Sequence, residues 1–445
     1  MAQMNWQTLL SDKRFDRKES ISPSLRKRGR NEFERDYDRM VFSAPFRRLQ
    51  NKAQIFPLPG NVFVHNRLTH SLEVSCVGRS LGNIVAHGLL DRYEDLPFAA
   101  SDVASIVSAA CLAHDMGNPP FGHSGERAIS AYFREGAGRV WEEVVRREGD
   151  RWEDFIQFEG NANAFRLLTH RFEGRRPGGF ALTYSTLASV VKYPYSSLSA
   201  HGKGKFGYFA TEEDTFHEIA SHLGILKLQD SPSVYARYPL VFLVEAADDI
   251  CYQIMDLEDA YKLRILSFDE VAHFFESILD EEEKVEVREV LFTIEDCNER
   301  VAYLRSKVIN HLTEACAQAF LDHEKEISCG TLSSPLVSLI PSAKSYQSIS
   351  RYAYQHIYTN RDVVDVELAG HRIFSEIIEK MMYALMHPDN AYSHTFLNRV
   401  SSQYNIREES TYGKIQCTLD YLSGMTDLYA LDLYRKITGM NLPFA

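Results

Sequence analysis

Paired cysteines are missing from this chain of 445 residues. Its seven cysteines (Cys76, Cys111, Cys251, Cys297, Cys316, Cys329 and Cys417) are odd in number, scattered and never spaced as CxxC. That excludes a disulfide framework and a thiolate zinc site. Long apolar runs are missing too. No stretch approaches the ~20 residues a membrane-spanning helix needs. The opening "MAQMNWQTLLSDKRFDRKES" lacks the uninterrupted apolar core of a signal peptide, so a cytoplasmic location without membrane contact is expected. There is no GxxxxGKS phosphate loop, no dinucleotide fingerprint after a strand, and no repeat at solenoid spacing. Alternating strand patterns are scarce; "GKGKFGYFATEED" reads as a glycine-rich loop or small hairpin. Positive charge is also in deficit. The net charge is −12, so attraction to polyanions is not a property of the whole surface.

What is present is an ordinary globular composition, 44% apolar and 25% charged, with helical periodicity throughout. In "HSLEVSCVGRSLGNIV", His70, Val74, Val77, Leu81 and Ile84 fall on one helical stripe. "SDVASIVSAACLAHD" repeats the pattern with Val103, Val107, Ala110 and His114. "PLVFLVEAADDICYQIMDLEDAYKL" and "RIFSEIIEKMMYALMHP" are two further long helical segments, the latter stopped by its proline. An all-α fold is expected. The expected organisation is an N-terminal basic segment (1–60) packing on the core, a helical core (61–260) with a polar, loop-like insertion at about 136–236, and a C-terminal helical region (261–445). Lysine and arginine gather in "KRFDRKESISPSLRKRGRNEFERDYDRMVFSAPFRRLQNK", which is either a solvated face or a lining for phosphates.

The polar residues on these apolar stripes carry the chemistry. In "AACLAHDMGNPPFGHSGE" a buried helix ends on adjacent His114 and Asp115, breaks at Gly117 and a proline pair, then offers His123 and Glu126. Read alone, this is either a helix stop with a satisfied core histidine or a site. His70 repeats the oddity on another helix, where a buried imidazole must find a partner. On a third, Asp248, Tyr252 and Asp256 lie at i, i+4 and i+8 and share one face; buried carboxylates there are costly unless paired or metal-bound. Two histidines, Asp115 and one aspartate of the third helix would make a mixed N/O site. Such a site suits Mn²⁺, Fe²⁺, Mg²⁺ or Zn²⁺.

The order H…HD…D resembles the HD-domain metal-dependent phosphohydrolases. "FERDYDRMVFSAPFRRLQNKAQIFPL", "NRLTHSLEVS", "AHDMGNPPFGHSGE", "FEGNANAFRLL", "KYP" and "LVEAADDICYQIMDLEDA" together resemble the bacterial deoxyguanosine triphosphate triphosphohydrolases over roughly residues 30–260. "KAQI" departs from the pattern where a threonine would precede the glutamine. The resemblance implies that His70, His114, Asp115 and Asp248 hold a divalent ion (Mn, Mg or Fe), with Asp249 rotated about 100° off that face. It implies His123 and Glu126 as the catalytic pair, and Gln54 and Tyr252 against the deoxyribose, disfavouring a 2′-hydroxyl. Arg67, Asn161, Lys192, Lys205 and Asp256 would line the triphosphate pocket. The implied reaction is hydrolysis of a deoxynucleoside triphosphate, dGTP foremost, at the α-phosphorus to deoxynucleoside and tripolyphosphate.

Two other readings compete. One is a different HD-superfamily phosphohydrolase, such as a nucleotide monophosphatase or phosphodiesterase, which usually lacks the "FEGNA…KYP" segment. The other is a nucleotide- or single-stranded-DNA-binding regulator, which predicts a broken ligand set. Single-stranded DNA stays open as an additional partner. The resemblance also implies a homo-oligomer, a hexamer foremost, with "RIFSEIIEKMMYALMHP" either an interface helix or part of the protomer's core. The residues around "SRYAYQHIYTNRDV" are candidates for the base pocket.

Overall fold

A computed structural model describes residues 2–16, 30–56, 64–93, 96–175, 179–200 and 204–440. Among these residues helix dominates, and the one sheet consists of two short antiparallel strands, β1 (Lys227–Gln229) and β2 (Val234–Tyr235). The chain is all-α. Residues 17–29 of the basic N-terminal segment lie outside the described residues.

The helices that build the core and carry the site are α1 (Glu32–Val41), α2 (Arg67–Arg92), α3 (Ala100–Ala113), α4 (Gly122–Arg134), α5 (Gly160–Thr169), α6 (Val241–Lys262), α7 (Cys297–Asp322), α8 (Ala343–His356), α9 (Arg361–Met386), α10 (Thr411–Ser423) and α11 (Asp427–Ile437). Their starts are written locally. Asn31 caps α1 in a reciprocal pair with Glu34, and Asn66 caps α2 in the same way with Thr69.

Two hydrophobic clusters hold these helices. In the first, α2 and α3 pack along their lengths and are flanked by α1, α6 and α7. Val74, Val77 and Leu81 of the α2 stripe are buried there, but Ile84 is 38% exposed. A strict four-three stripe drifts about 20° per heptad around a straight helix. Val85 and Leu89, fully buried, have replaced it on the inner face.

In the second cluster α4 packs on α9, and α9 on α10. Ile373, Ile377, Met381 and Leu385 are all buried here, so the apolar stripe of α9 belongs to the protomer's own core and does not offer itself to another subunit. Each such side chain contributes about 1.5–3 kcal/mol relative to exposure.

The segment 136–236, loop-like by pattern, contains short helices, among them Glu142–Glu148, α5, Tyr184–Val190 and Glu213–Leu223. Short elements carry too few turns to show a period, and single aromatic anchors fix this segment instead: Trp152, Phe155, Phe206, Phe209 and Phe216 are all buried. Residues 204–214 form no hairpin. Tyr208 makes one isolated bridge with Ser196 before a 3₁₀ turn at Ala210–Glu212.

Candidate metal centre and catalytic cleft

Helix α3 is apolar to its last turn and stops at Ala113, with His114 as its C-cap. Backbone bonds from Met116 to the Ala113 carbonyl and from Asn118 to the Asp115 carbonyl then curl the chain into a tight loop. Gly117 is required in it, because a Cβ there would lie 2.1 Å from the Ala164 backbone nitrogen. The loop ends on Phe121, whose φ of +61° is costly for an aromatic residue. Two contacts from the C-terminal half hold it: the Phe121 N–H donates to Asp427 Oδ1 at 2.9 Å, and its ring meets Phe374 with centroids 5.6 Å apart.

The three helices α2, α3 and α6 bring His70, His114, Asp115 and Asp248 together. One ligand atom from each of His70, His114 and Asp115 lies within 4.8 Å of the others. Asp248 Oδ1 stands 3.1 Å from His70 Nε2 and 3.5 Å from His114 Nε2. His114 Nδ1 is 2.6 Å from the Cys111 carbonyl and donates to it, which turns the Nε2 lone pair inward. Asp115 Oδ1 accepts from Arg67 Nη1 at 2.7 Å and from Asn118 Nδ2 at 2.5 Å.

Two buried atoms in this cluster, His114 Nε2 and Asp115 Oδ2, have no hydrogen-bond partner. They are the atoms a metal ion would take. Burial lowers the His114 pKa, but the Asp115 and Asp248 carboxylates outweigh it and hold the imidazole at about 9. Burial likewise works against ionised Asp248, yet His114 and His70 keep its carboxyl well below the usual range. With neutral imidazoles the four side chains carry two negative charges, the complement of a divalent cation, and their N/O donor set fits Mn, Mg or Fe. Asp249 is elsewhere in electrostatic terms: burial pushes its carboxyl up to about 8, only partly opposed by Lys192.

His123 lies on the first turn of α4 and Glu126 three residues further along it, with His123 Nδ1 and Glu126 Oε2 3.2 Å apart. The His123 side chain is 59% exposed and the Glu126 side chain 8%, so the imidazole faces the cleft from a buried carboxylate. Burial favours the neutral Glu126 carboxyl, but the His123 charge and hydrogen bond, Lys205 and the Gly160 N–H together keep it ionised. Lys205 Nζ bonds Glu159 at 2.5 Å and stands 3.7 Å from Glu126. Asn161 Nδ2 donates to the other Glu159 oxygen at 2.9 Å.

These groups open on one cleft of about 230 Å³ that Gln54, Arg67, Asn161, Lys192, Lys205 and Tyr252 also line, together with His114, Asp115, His123, Glu126 and Asp248. Gln54 Oε1 is buried without a partner, an acceptor waiting for a hydroxyl. Lys192 is 3.2 Å from Glu245, which is bonded in turn by Arg237 at 2.6 Å. The Tyr252 ring meets His70 edge-on at 6.5 Å.

Asp256 does not line this cleft. It is buried one turn beyond Tyr252 and accepts from the Tyr358 hydroxyl at 2.6 Å. Tyr358 is a neighbour that residue-by-residue reading missed, although it sits in the stretch that is a candidate for the base pocket. Glu159 and Glu245 were missed as well. Both are acidic residues inside the quoted motifs, and the rule that a buried carboxylate needs a partner would have found them.

Comparison with known proteins agrees with this geometry. The HD domain family model matches residues 67–192, and the phosphohydrolase-associated domain model matches residues 341–436. A deoxyguanosinetriphosphate triphosphohydrolase-like protein of Synechocystis is 38% identical over 99% of this chain and all of its own length. Its counterpart in Pseudomonas aeruginosa is 37% identical with the same coverage. A deoxyguanosinetriphosphate triphosphohydrolase of Salmonella arizonae is 30% identical over 92% of this chain and 94% of its own. Likeness of this extent, over two matched domains and nearly the full length of the chain, makes it a hydrolase that belongs to the HD-domain deoxyguanosinetriphosphate triphosphohydrolase family.

Proposed function

We propose that the protein hydrolyses a deoxynucleoside triphosphate, dGTP foremost, to deoxynucleoside and tripolyphosphate. The observation that carries this reading is the convergence of the His70–His114–Asp115–Asp248 cluster and the His123–Glu126 pair on one cleft lined by cationic side chains. A divalent ion in that cluster supplies a Lewis acid that polarises the phosphoryl group and makes water acidic at neutral pH.

The remaining work falls to the chain's own residues. Lys192, Lys205 and Arg67 balance the triphosphate charge. Lys205 is held beside the catalytic pair by Glu159, which Asn161 bonds in turn, and Lys192 by Glu245, so both ammonium groups are positioned before substrate arrives. Water adds to the α-phosphorus and the P–O5′ bond breaks. The leaving oxygen is a poor alkoxide, so the His123 imidazolium gives it a proton. Glu126, ionised and anchored by the Gly160 N–H at 2.9 Å, orients the ring and stabilises its charged form. Tyr252, backed by His70 on one side and Tyr358 on the other, presents a fixed ring to the sugar. Together with the Gln54 amide it disfavours a 2′-hydroxyl.

Incubation with each of four deoxynucleotides and GTP, with Mn²⁺ or Mg²⁺, tests the reading. The expected products are nucleoside and tripolyphosphate, fastest from dGTP and slowly from GTP. Equal rates on GTP and dGTP would reject the sugar assignment, and release of pyrophosphate or orthophosphate would reject attack at the α-phosphorus.

A further inference from the structure

Glu245 stands out in the wall of the cleft. It lines the same cleft as Lys192 and Lys205, yet it carries the sign of charge that repels a polyanion. Burial favours its neutral form, but Lys192 and Arg237 outweigh burial and hold its carboxyl below the usual range. Its two oxygens are divided between those cations. Oε1 lies 3.2 Å from Lys192 Nζ, and Oε2 accepts from Arg237 Nη2 at 2.6 Å. Among the described residues neither cation forms an ion pair with another carboxylate.

The two cations are not equivalent. Lys192 lines the cleft and Arg237 does not. Arg237 lies in the short stretch between β2 and α6, and Glu245 lies on α6 itself. The Arg237 guanidinium stacks over the Phe242 ring, 4.1 Å from its centroid, and its Nε is buried without a hydrogen-bond partner. Arg237 therefore meets the cleft only through Glu245.

A lysine paired one to one with a carboxylate offers an incoming anion little, because the carboxylate cancels its charge and repels the anion. A second cation on the far oxygen changes the sum from zero to +1. It also leaves Lys192, with three donors, free to turn two of them to phosphoryl oxygens. We propose that Arg237 is a positioning residue for anion binding: from outside the cleft it neutralises Glu245, so that Lys192 presents its charge to the phosphoryl groups of the substrate. This inference rests on the reading of the cleft as a triphosphate site. Asp249 also acts on Lys192 and Arg237, but it is common to every form compared below.

Calorimetric titration of the full-length protein with tripolyphosphate, with Mg²⁺ in cell and syringe and at fixed ionic strength, tests this beside the kinetics on dGTP. Arg237→Gln is expected to bind tripolyphosphate ~10-fold more weakly. Its KM for dGTP should rise by a similar factor with kcat nearly kept, the mark of lost uniform binding. Arg237→Lys should recover part of the affinity. Glu245→Gln removes the charge that Arg237 opposes while keeping an acceptor for its guanidinium, and should bind tripolyphosphate more tightly than wild type. Damage to the fold would weaken binding in both variants, so the opposite signs separate positioning from structure. Affinity and KM unchanged in Arg237→Gln, or weakening in Glu245→Gln as large as in Arg237→Gln, would overturn the inference and leave the functional reading in place. A wild type that neither binds tripolyphosphate nor hydrolyses dGTP would overturn that reading, and the inference with it.

Discussion

His114 and His123 stand nine positions apart on the two sides of one loop, and their removal is predicted to fail differently. His114→Ala or Asp115→Ala deletes one of the two unpartnered inward atoms, so bound metal, read by elemental analysis, and turnover should both be lost. His123→Ala leaves the cluster intact and should keep its metal, with kcat lower by about 10²–10⁴-fold; normal turnover would remove His123 from the mechanism. Gly122 is a third residue with a defined cost of replacement. Its φ is +57°, and a Cβ would stand 2.3 Å from Arg67 Nη2. Gly122→Ala should therefore destabilise the fold by about 1–3 kcal/mol in denaturant titration, and loosen metal binding as well, because Arg67 holds Asp115.

Among the elements, α2 supplies His70 and α6 supplies Asp248, and His65 ties these two helices together. At the entrance to α2, His65 sits 2.7 Å from Asp259 of α6 and 3.1 Å from Glu73. Burial opposes its charge, but the two carboxylates raise its pKa to about 10. A folded value above the unfolded value of ~6.5 means that His65 stabilises fully below pH ~6.5, and that this contribution fades as pH rises to about 10. His65→Gln should therefore unfold more easily than wild type at pH 6, by about 2 kcal/mol, and equally easily above pH 10. A constant difference across that range would contradict the ion pairs. The helices were legible in the chain, and so were His70, His114 and the Asp248 face, because a polar side chain on an apolar stripe is conspicuous at a period of 3.6. Periodicity does not say what a stripe meets. Hence α9 presented an apolar face whose partners, α4 and α10, only the folded chain reveals. Lys192 and Lys205 were legible through motif resemblance alone, since their holders Glu245 and Glu159 are distant in sequence or lie in a segment without a period.

Across the whole molecule, a chain of net charge −12 would, on the proposed function, take a polyanionic substrate, and the cations that line the cleft, Arg67, Lys192 and Lys205, are each held by an acidic partner, Asp115, Glu245 and Glu159. Assembly is a separate proposal. With the α9 stripe internal, contacts between subunits would have to use other surfaces; among the exposed apolar side chains are Phe292 at 91% and Phe42 at 73%. Light scattering should give a mass well above the 50.9 kDa of one chain, and a fully active monomer would contradict assembly as a condition of function. The proposed chemistry turns on water attacking the α-phosphorus while the P–O5′ bond breaks. Hydrolysis of dGTP in H₂¹⁸O, followed by mass spectrometry and ³¹P NMR, shows which bond is cleaved. One ¹⁸O is expected in tripolyphosphate, on the phosphoryl group that had been α, and none in deoxyguanosine. Label in the 5′-hydroxyl of the nucleoside, or in orthophosphate or pyrophosphate, would rule that attack out.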